Sequence, residues 1–234
     1  MTAPPVVRGE SLCWTRPVQE GDGRSVLEGI DVAIHPGEMV AISGPSGVGK
    51  SVLGSLMLRL RSVPPPGRVF WGEQEVTNLS ARELQPLRVR YQGLLQQTGA
   101  ILPPFLTVRQ ALTETVCQVC VPGAGVAEAR DRVEHVADLL GIQKILDRYP
   151  RFLSGGEQRK SGVARLLLAD PVFAFVDEPD AGLDPVSQHE VIGELRQAVE
   201  RTGVAMLLVT HSAVLAEHYA DRRILLREGQ LHAA

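Results

Sequence analysis

Gly44-Pro45-Ser46-Gly47-Val48-Gly49-Lys50-Ser51 follows the apolar run Met39-Val40-Ala41-Ile42. It precedes Val52, Leu53, Leu56, Met57 and Leu60, which recur at helical spacing. A strand, a glycine-rich turn and a helix in that order decide the fold. The pattern G-x-x-x-x-G-K-[ST] in that setting is a phosphate-binding loop. Glycines at 44, 47 and 49 open backbone angles closed to other residues, so several N–H groups can turn towards phosphate oxygens. The helix beginning near Lys50 adds the partial positive charge of its N-terminus. Lys50 is expected to reach the β- and γ-phosphates, and the Ser51 hydroxyl to ligate Mg²⁺. An ordinary glycine-rich turn would not require all eight positions in that context.

The pattern continues outward from the loop. Val172 to Val176 is a continuous apolar run ending in Asp177-Glu178, and Val204 to Val209 is another ending in Thr210-His211. Val133, Val136, Leu139 and Leu140 make an amphipathic helix that Gly141 can stop; Val191, Ile192, Leu195, Ala198 and Val199 make a second. Continuous apolar strands alternating with helices predict a parallel sheet covered on both faces. Ligands sit beyond the carboxyl ends of such strands. Asp177 is therefore a candidate support for Mg²⁺, and Glu178 a candidate for polarising water. His211 ends the next strand, where a lone histidine could equally be an ordinary strand-end residue. Leu153-Ser154-Gly155-Gly156-Glu157-Gln158 reads as a second anion-binding helix start. One nucleotide per chain does not need two such loops. A dimer in which one subunit's loop completes the other's site resolves the excess.

The bulk numbers agree. The chain has 234 residues and 25.3 kDa, with 24 Lys plus Arg, 27 Asp plus Glu and a net charge of −3. That length predicts one α/β domain over residues 1–234. A slightly acidic chain without a basic run argues against a nucleic-acid partner. No apolar run approaches the roughly 18–20 residues that cross a bilayer. The N-terminus lacks a basic region followed by an apolar core, so the expected location is the cytosol. Cys117 and Cys120 read as two small residues one helical turn apart, since no second pair stands at metal spacing. Residues 16–25 read as a surface hairpin or loop, and Pro64-Pro65-Pro66-Gly67 as a break.

These motifs, in this order, resemble an ATP-binding cassette ATPase, the nucleotide-binding subunit of an ABC transporter. Gly44 to Ser51 is similar to the Walker A loop, Leu153 to Gln158 to the signature motif, and Phe173 to Glu178 to Walker B with the catalytic glutamate. Ala181-Gly182-Leu183-Asp184 resembles the D-loop and His211 the switch histidine. The resemblance implies a RecA-like P-loop NTPase core, an N-terminal antiparallel β region and a helical subdomain near residues 100–165. It implies ATP held by Gly44, Pro45, Ser46, Gly47, Val48, Gly49, Lys50, Ser51 and Val52 of one chain and Ser154, Gly155 and Gly156 of the other. Trp14 stands where the family places an aromatic that stacks on adenine; an ordinary half-buried aromatic is the alternative. Asp177, Ser51 and the Q-loop glutamine would attend Mg²⁺. Gln97 fits that glutamine by one subfamily's pattern, and Gln96 by the spacing of peptide importers. Glu178, His211 and Gln97 would then be the catalytic set.

Departures from the pattern are few. Val52 stands where most members have Thr, and Asp180 and Ala181 replace the more usual Thr and Ser. Gly162 falls inside the helix after the signature, at about 1 kcal/mol relative to Ala, which questions the regularity of that helix. Gly49-Lys50-Ser51-Val52, Leu79 to Leu84, Gln97-Thr98-Gly99-Ala100 and Ala181 to Pro185 together resemble the ATPases of Mce-type lipid transport systems. The resemblance implies a homodimer on the cytoplasmic face of the inner membrane, joined to permease subunits and, through them, to a lipid- or solute-binding partner. The alternatives are a peptide or metal importer, a lipoprotein or peptide exporter, and a soluble ABC ATPase. The 101 residues from Val52 to Phe152 carry no sustained heptads for the coiled coils of DNA-repair members.

Overall fold

The computed structural model describes residues 3–16, 24–94, 102–120 and 125–233. Two sheets carry the chain. The first is antiparallel, with β1 (Val7–Arg16), β2 (Arg24–Ile34), β4 (Arg68–Trp71) and β5 (Gln74–Glu75) in the order β2-β1-β4-β5. The second contains β3 (Met39–Ser43), β6 (Tyr91–Leu94), β7 (Phe173–Asp177), β8 (Ala205–Val209), β9 (Arg222–Arg227) and β10 (Gln230–Ala233). Its order is β10-β9-β3-β8-β7-β6, and all pairs are parallel except β10 with β9. The expected α/β class, with antiparallel strands first, is what the chain adopts.

Strands β3, β7 and β8 are buried nearly throughout, which explains why their sequences do not alternate. The period of two reappears in the packing. Met39, Ala174, Val176, Met206 and Leu208 face one core cluster. Val40, Ile42, Phe173, Phe175, Ala205, Leu207 and Val209 face the other. The first cluster is covered by helices α3 (Val108–Thr115), α4 (Val126–Leu139), α5 (Gly155–Leu167) and α6 (Pro185–Thr202). The second is covered by the antiparallel sheet and α1 (Lys50–Met57). Helices α2 (Ala81–Arg88) and α7 (Ala213–Tyr219) complete the set.

The predicted helix stops hold in one case and shift in another. Gly141 adopts φ 62° just beyond α4, as a C-terminal glycine should. Helix α1 ends at Met57 rather than running through Leu60, which is 48% exposed. Arg59 turns to φ 52°, and its guanidinium donates to the carbonyls of Val76, Arg61 and Leu79. Those tertiary bonds override the apolar spacing. Helix α5 is continuous through Gly162, contrary to the expected irregularity. Its Ser154 and Glu157 form a capping box, Ser161 donates to the Glu157 carbonyl, and Val163, Ala164, Leu166 and Leu167 are buried. That burial outweighs the small cost of one glycine. Cys117 is a free thiol, half-buried in the π-helical turn Val116–Cys120 that extends α3.

Candidate nucleotide site

The phosphate loop lies between the carboxyl end of β3 and the start of α1. Gly44, Gly47 and Gly49 adopt φ of 146°, 76° and 116°, all in the region that favours glycine. At Gly44 the requirement is also steric, because a Cβ would stand 2.3 Å from the Leu226 carbonyl oxygen of β9. At Gly49 it would stand 2.5 Å from Val26 Cγ1 of β2. The loop is thus pressed against both sheets. The Lys50 ammonium is buried and donates to the carbonyls of Gly44 (2.9 Å) and Pro45 (3.1 Å), which folds it back over its own loop. Burial pushes its pKa down, opposed by the charges of Glu178 and Asp177.

Those two carboxylates arrive from the sheet. Asp177 closes β7, paired with Val209 at the end of β8, and Ser51 hydrogen-bonds its side chain. Its Oδ1 is buried with no hydrogen-bond partner. Burial pushes its pKa up, the Ser51 bond lowers it, Glu178 adds to the rise, and Lys50 and His211 oppose it. A hydroxyl touching a buried carboxylate with a spare oxygen suits a small hard cation that takes its other ligands from phosphate and water. Among the described residues, no cluster of three or more His, Cys, Asp or Glu is placed to hold a metal by itself.

Glu178 turns to φ 50°, while its N–H keeps the sheet pattern by donating to Val209 O at 2.9 Å. The reversed φ sends its carboxylate towards His211, whose Nε2 lies 2.6 Å from Glu178 Oε1. Next to this pair, Asp180 is buried and accepts from Thr210 Oγ1 at 2.7 Å, and Thr210 Oγ1 in turn accepts from Ser212 N. Asp180 was visible in the sequence only as a departure from the family pattern; its role as a tie between the two strand ends depends on their pairing.

An ABC transporter family model matches residues 27–181. The methionine import ATP-binding protein MetN of Bordetella avium is 33% identical over 88% of this chain and 55% of its own. The lipoprotein-releasing system ATP-binding protein LolD of Hyphomonas neptunium is 32% identical over 88% of each chain.

The chain belongs to the ABC transporter ATPase family.

It spans about half the length of the methionine import relative and most of the lipoprotein-releasing one. The bacitracin export protein BceA of Halalkalibacterium halodurans is also 32% identical, over 89% of this chain and 80% of its own. Among solved structures, the dimeric cassette MJ0796 bound to ADP and Pi superposes at TM-score 0.84 and 25% identity, over 97% and 96% of the two chains. The cbiO1 protein of Clostridium perfringens, part of the cbiONQ complex, reaches 0.86 at 26% identity over 98% and 88%.

Other expected site residues of the cassette fall as follows. Ser154 is the N-cap of α5: its Oγ accepts from Glu157 N at 3.2 Å, and Glu157 Oε2 accepts from Ser154 N at 2.7 Å. Gly155 and Gly156 open the first turn of that helix, against Leu183 and Ser187. Asp184 caps α6 by accepting from Val186 N and Ser187 N. Gln96 and Gln97 lie outside the described residues. Val52 is half-buried on α1 and packs with Val48 against the core. Trp14 pairs with Leu27 across β1 and β2 and packs half-buried on the core, with the Arg61 guanidinium 5.4 Å from its ring centre. A cavity of about 560 Å³ adjoins the phosphate loop at Pro45 to Val48. Arg16, not Trp14, is the β1 residue that lines it.

Proposed function

We propose that this cassette hydrolyses ATP with Mg²⁺ as half of a homodimer, and that closure and reopening of the dimer drive a membrane permease. The observation that carries the reading is the convergence of Lys50, Ser51, Asp177, Glu178 and His211 at the ends of three neighbouring strands. In this scheme the Gly44–Gly49 amides and Lys50 hold the β- and γ-phosphates. Bound Mg²⁺ supplies charge neutralisation across the phosphate oxygens, held through Ser51 and Asp177. Glu178 accepts the proton of the attacking water, and His211, bonded to that carboxylate, orients it and faces the γ-phosphate. Ser154, Gly155 and Gly156 of one subunit close on the nucleotide of the other. Gln97 links the site to the permease. Catalysis is positioning and charge stabilisation.

The cargo we propose is a lipid, on the sequence details similar to Mce-type ATPases. The relatives named above import methionine, export bacitracin or release lipoproteins, so they bear on both directions of transport. No described helix is long and apolar enough to cross a membrane, so the pathway would lie in permease subunits, with the cassette on their cytoplasmic face.

Glu178→Gln tests the chemistry. It is expected to bind ATP, run as a dimer on size exclusion and lose nearly all turnover; undiminished hydrolysis refutes the assignment. Co-purification from the native host tests the partner. A permease with bound phospholipid supports the lipid reading, a permease with a solute-binding protein and no lipid replaces it, and no membrane protein at all overturns the transporter role.

A further inference from the structure

We infer that Asp180 is a positioning residue for hydrolysis: its carboxylate, acting through the Thr210 hydroxyl, sets where His211 stands at the γ-phosphate. The inference rests on the catalytic reading of Glu178 and His211 above and assigns what holds that pair in place.

His211 lies beyond the support of the sheet. The β7–β8 ladder ends with Asp177 opposite Val209, so Thr210 is the first residue past it. The His211 side chain is 44% exposed, so packing does not fix it. Its place follows from the backbone on either side. After it, Ser212 caps α7, with Oγ accepting from Leu215 N at 3.2 Å. Before it, Thr210 is fully buried. The Thr210 Oγ1 accepts from Ser212 N at 3.1 Å, reaching across His211, and donates to Asp180 Oδ2 at 2.7 Å. The segment that carries the histidine is folded round this hydroxyl, and the hydroxyl leans on the Asp180 carboxylate.

Asp180 is itself held. It is buried, and its carbonyl accepts from Leu183 N at 3.3 Å and from Gln188 Nε2 of α6 at 3.2 Å. Its Oδ2 serves Thr210, while its Oδ1 is buried with no hydrogen-bond partner. Burying a carboxylate with one oxygen unsatisfied costs stability. A neutral side chain would spare the fold that cost, and threonine is the more usual residue of the family at this position. What the carboxylate adds is direction. It only accepts, so the Thr210 proton points to it and a Thr210 lone pair stays turned to Ser212 N. A threonine at position 180 could give or take that bond. In a buried site such a chain of bonds is strong and specifies one arrangement.

The test is steady-state ATPase kinetics of the full chain, with Mg·ADP titrations beside it. Thr210→Val keeps the shape and removes the hydroxyl, and Asp180→Leu removes the acceptor. Each is expected to lower kcat about tenfold or more while KM and the Mg·ADP Kd stay within about twofold. Thr210→Ser returns the hydroxyl and should return kcat. The double variant should be no slower than the slower single, since both cut one link. The His211 imidazole resonance, assigned with His211→Ala, should move at fixed pH in Thr210→Val and not in Thr210→Ser. Thermal melts report folding, and Thr210→Val carries the test if Asp180→Leu does not fold. A wild-type kcat in Thr210→Val overturns the inference. So does a loss of ADP affinity as large as the loss of kcat, which would make the bond a general support of the site. Failure of both single variants to fold overturns it as well, by making the bond structural. A wild-type chain that hydrolyses no ATP, or a Glu178→Gln chain as fast as wild type, overturns instead the catalytic reading beneath it.

Discussion

Asp177→Asn is expected to make the ligand-free cassette more stable while removing its response to magnesium nucleotide. Asp177 is 5% exposed and its Oδ1 has no partner. An orphaned buried acceptor costs about 1–3 kcal/mol, and more if charged. The Ser51 hydrogen bond and the nearby charges of Lys50 and His211 recover part of this. A net gain of about 1 kcal/mol for the neutral isostere is the working figure, equivalent to about 2–4 °C in Tm for a chain of this size. The pH dependence follows from the raised native pKa. The native state holds this proton more tightly than the unfolded chain. Stability therefore falls as pH rises from the unfolded value of about 3.9 through the native one, and then levels off. Asp177→Asn lacks that fall, so its advantage should vanish in acid and be complete near neutrality.

The assay is differential scanning fluorimetry across pH, with and without Mg²⁺ and ATP. Wild type should gain Tm with Mg·ATP beyond ATP alone, and Asp177→Asn should show no magnesium increment. A ligand-free Asp177→Asn that melts below wild type at pH 7 refutes the argument from the buried charge. A preserved magnesium increment refutes the assignment of that oxygen to the cation.

Other outcomes follow from named contacts. Gly44→Ala drives a methyl into the Leu226 carbonyl at 2.3 Å, so a loss of more than about 2 kcal/mol and of ATP binding is expected in melts and titrations. Gly47→Ala meets open space and should cost only about 1 kcal/mol, for its positive φ. Gly54→Ala places a methyl 2.2 Å from the buried Phe175 ring, on the core side of α1. It should lower stability by about 1–3 kcal/mol, read by denaturant melts, without changing the nucleotide Kd of the folded fraction. Ser154→Asp keeps the cap of α5, since Asp and Ser cap about equally well, within about 0.5 kcal/mol. It puts a carboxylate where the partner's γ-phosphate would sit, so the ATP-trapped dimer of Glu178→Gln should disappear on size exclusion while Tm holds. A dimer that persists would assign Ser154 to capping alone.

Much of this was legible in the sequence because burial on both faces forces continuous apolar runs. Met39 to Ile42, Phe173 to Val176 and Val204 to Val209 announce themselves, and the polar residues at their ends make up the candidate site. What depends on long-range contact was not legible. Nothing near Leu60 says that Arg59 will find the carbonyls of Val76 and Leu79 and end the helix. Val163, Leu166 and Leu167 beside Gly162 hint at burial, but nothing in the sequence says that Ser161 is buried with them and that the helix stays regular. Arg16 was hidden for a different reason. Along a strand, alternation is the rule that places a side chain from sequence, and the register shifts around Trp14 suspend it.

Asp177 and Glu178 are adjacent identical charges, yet the fold gives them separate tasks. The last strand position of β7 fixes Asp177 beside Ser51. Had Glu178 kept strand dihedrals, its side chain would point to the opposite face of the sheet. The turn to φ 50° prevents that and brings its carboxylate to His211. A left-handed non-glycine residue costs about 1–2 kcal/mol, and glycine would remove the strain along with the carboxylate. The surroundings hold the strained residue in place. Glu178 N is bonded to Val209 O, Ala181 N returns to Glu178 O at 3.2 Å, and buried Asp180 is clamped by Thr210, the residue before His211. Strand end, turn and histidine are therefore tied together by hydrogen bonds. Strain of this kind, held in place by its surroundings, is found where a side chain must be pre-organised, and here it aims the carboxylate of Glu178 at His211.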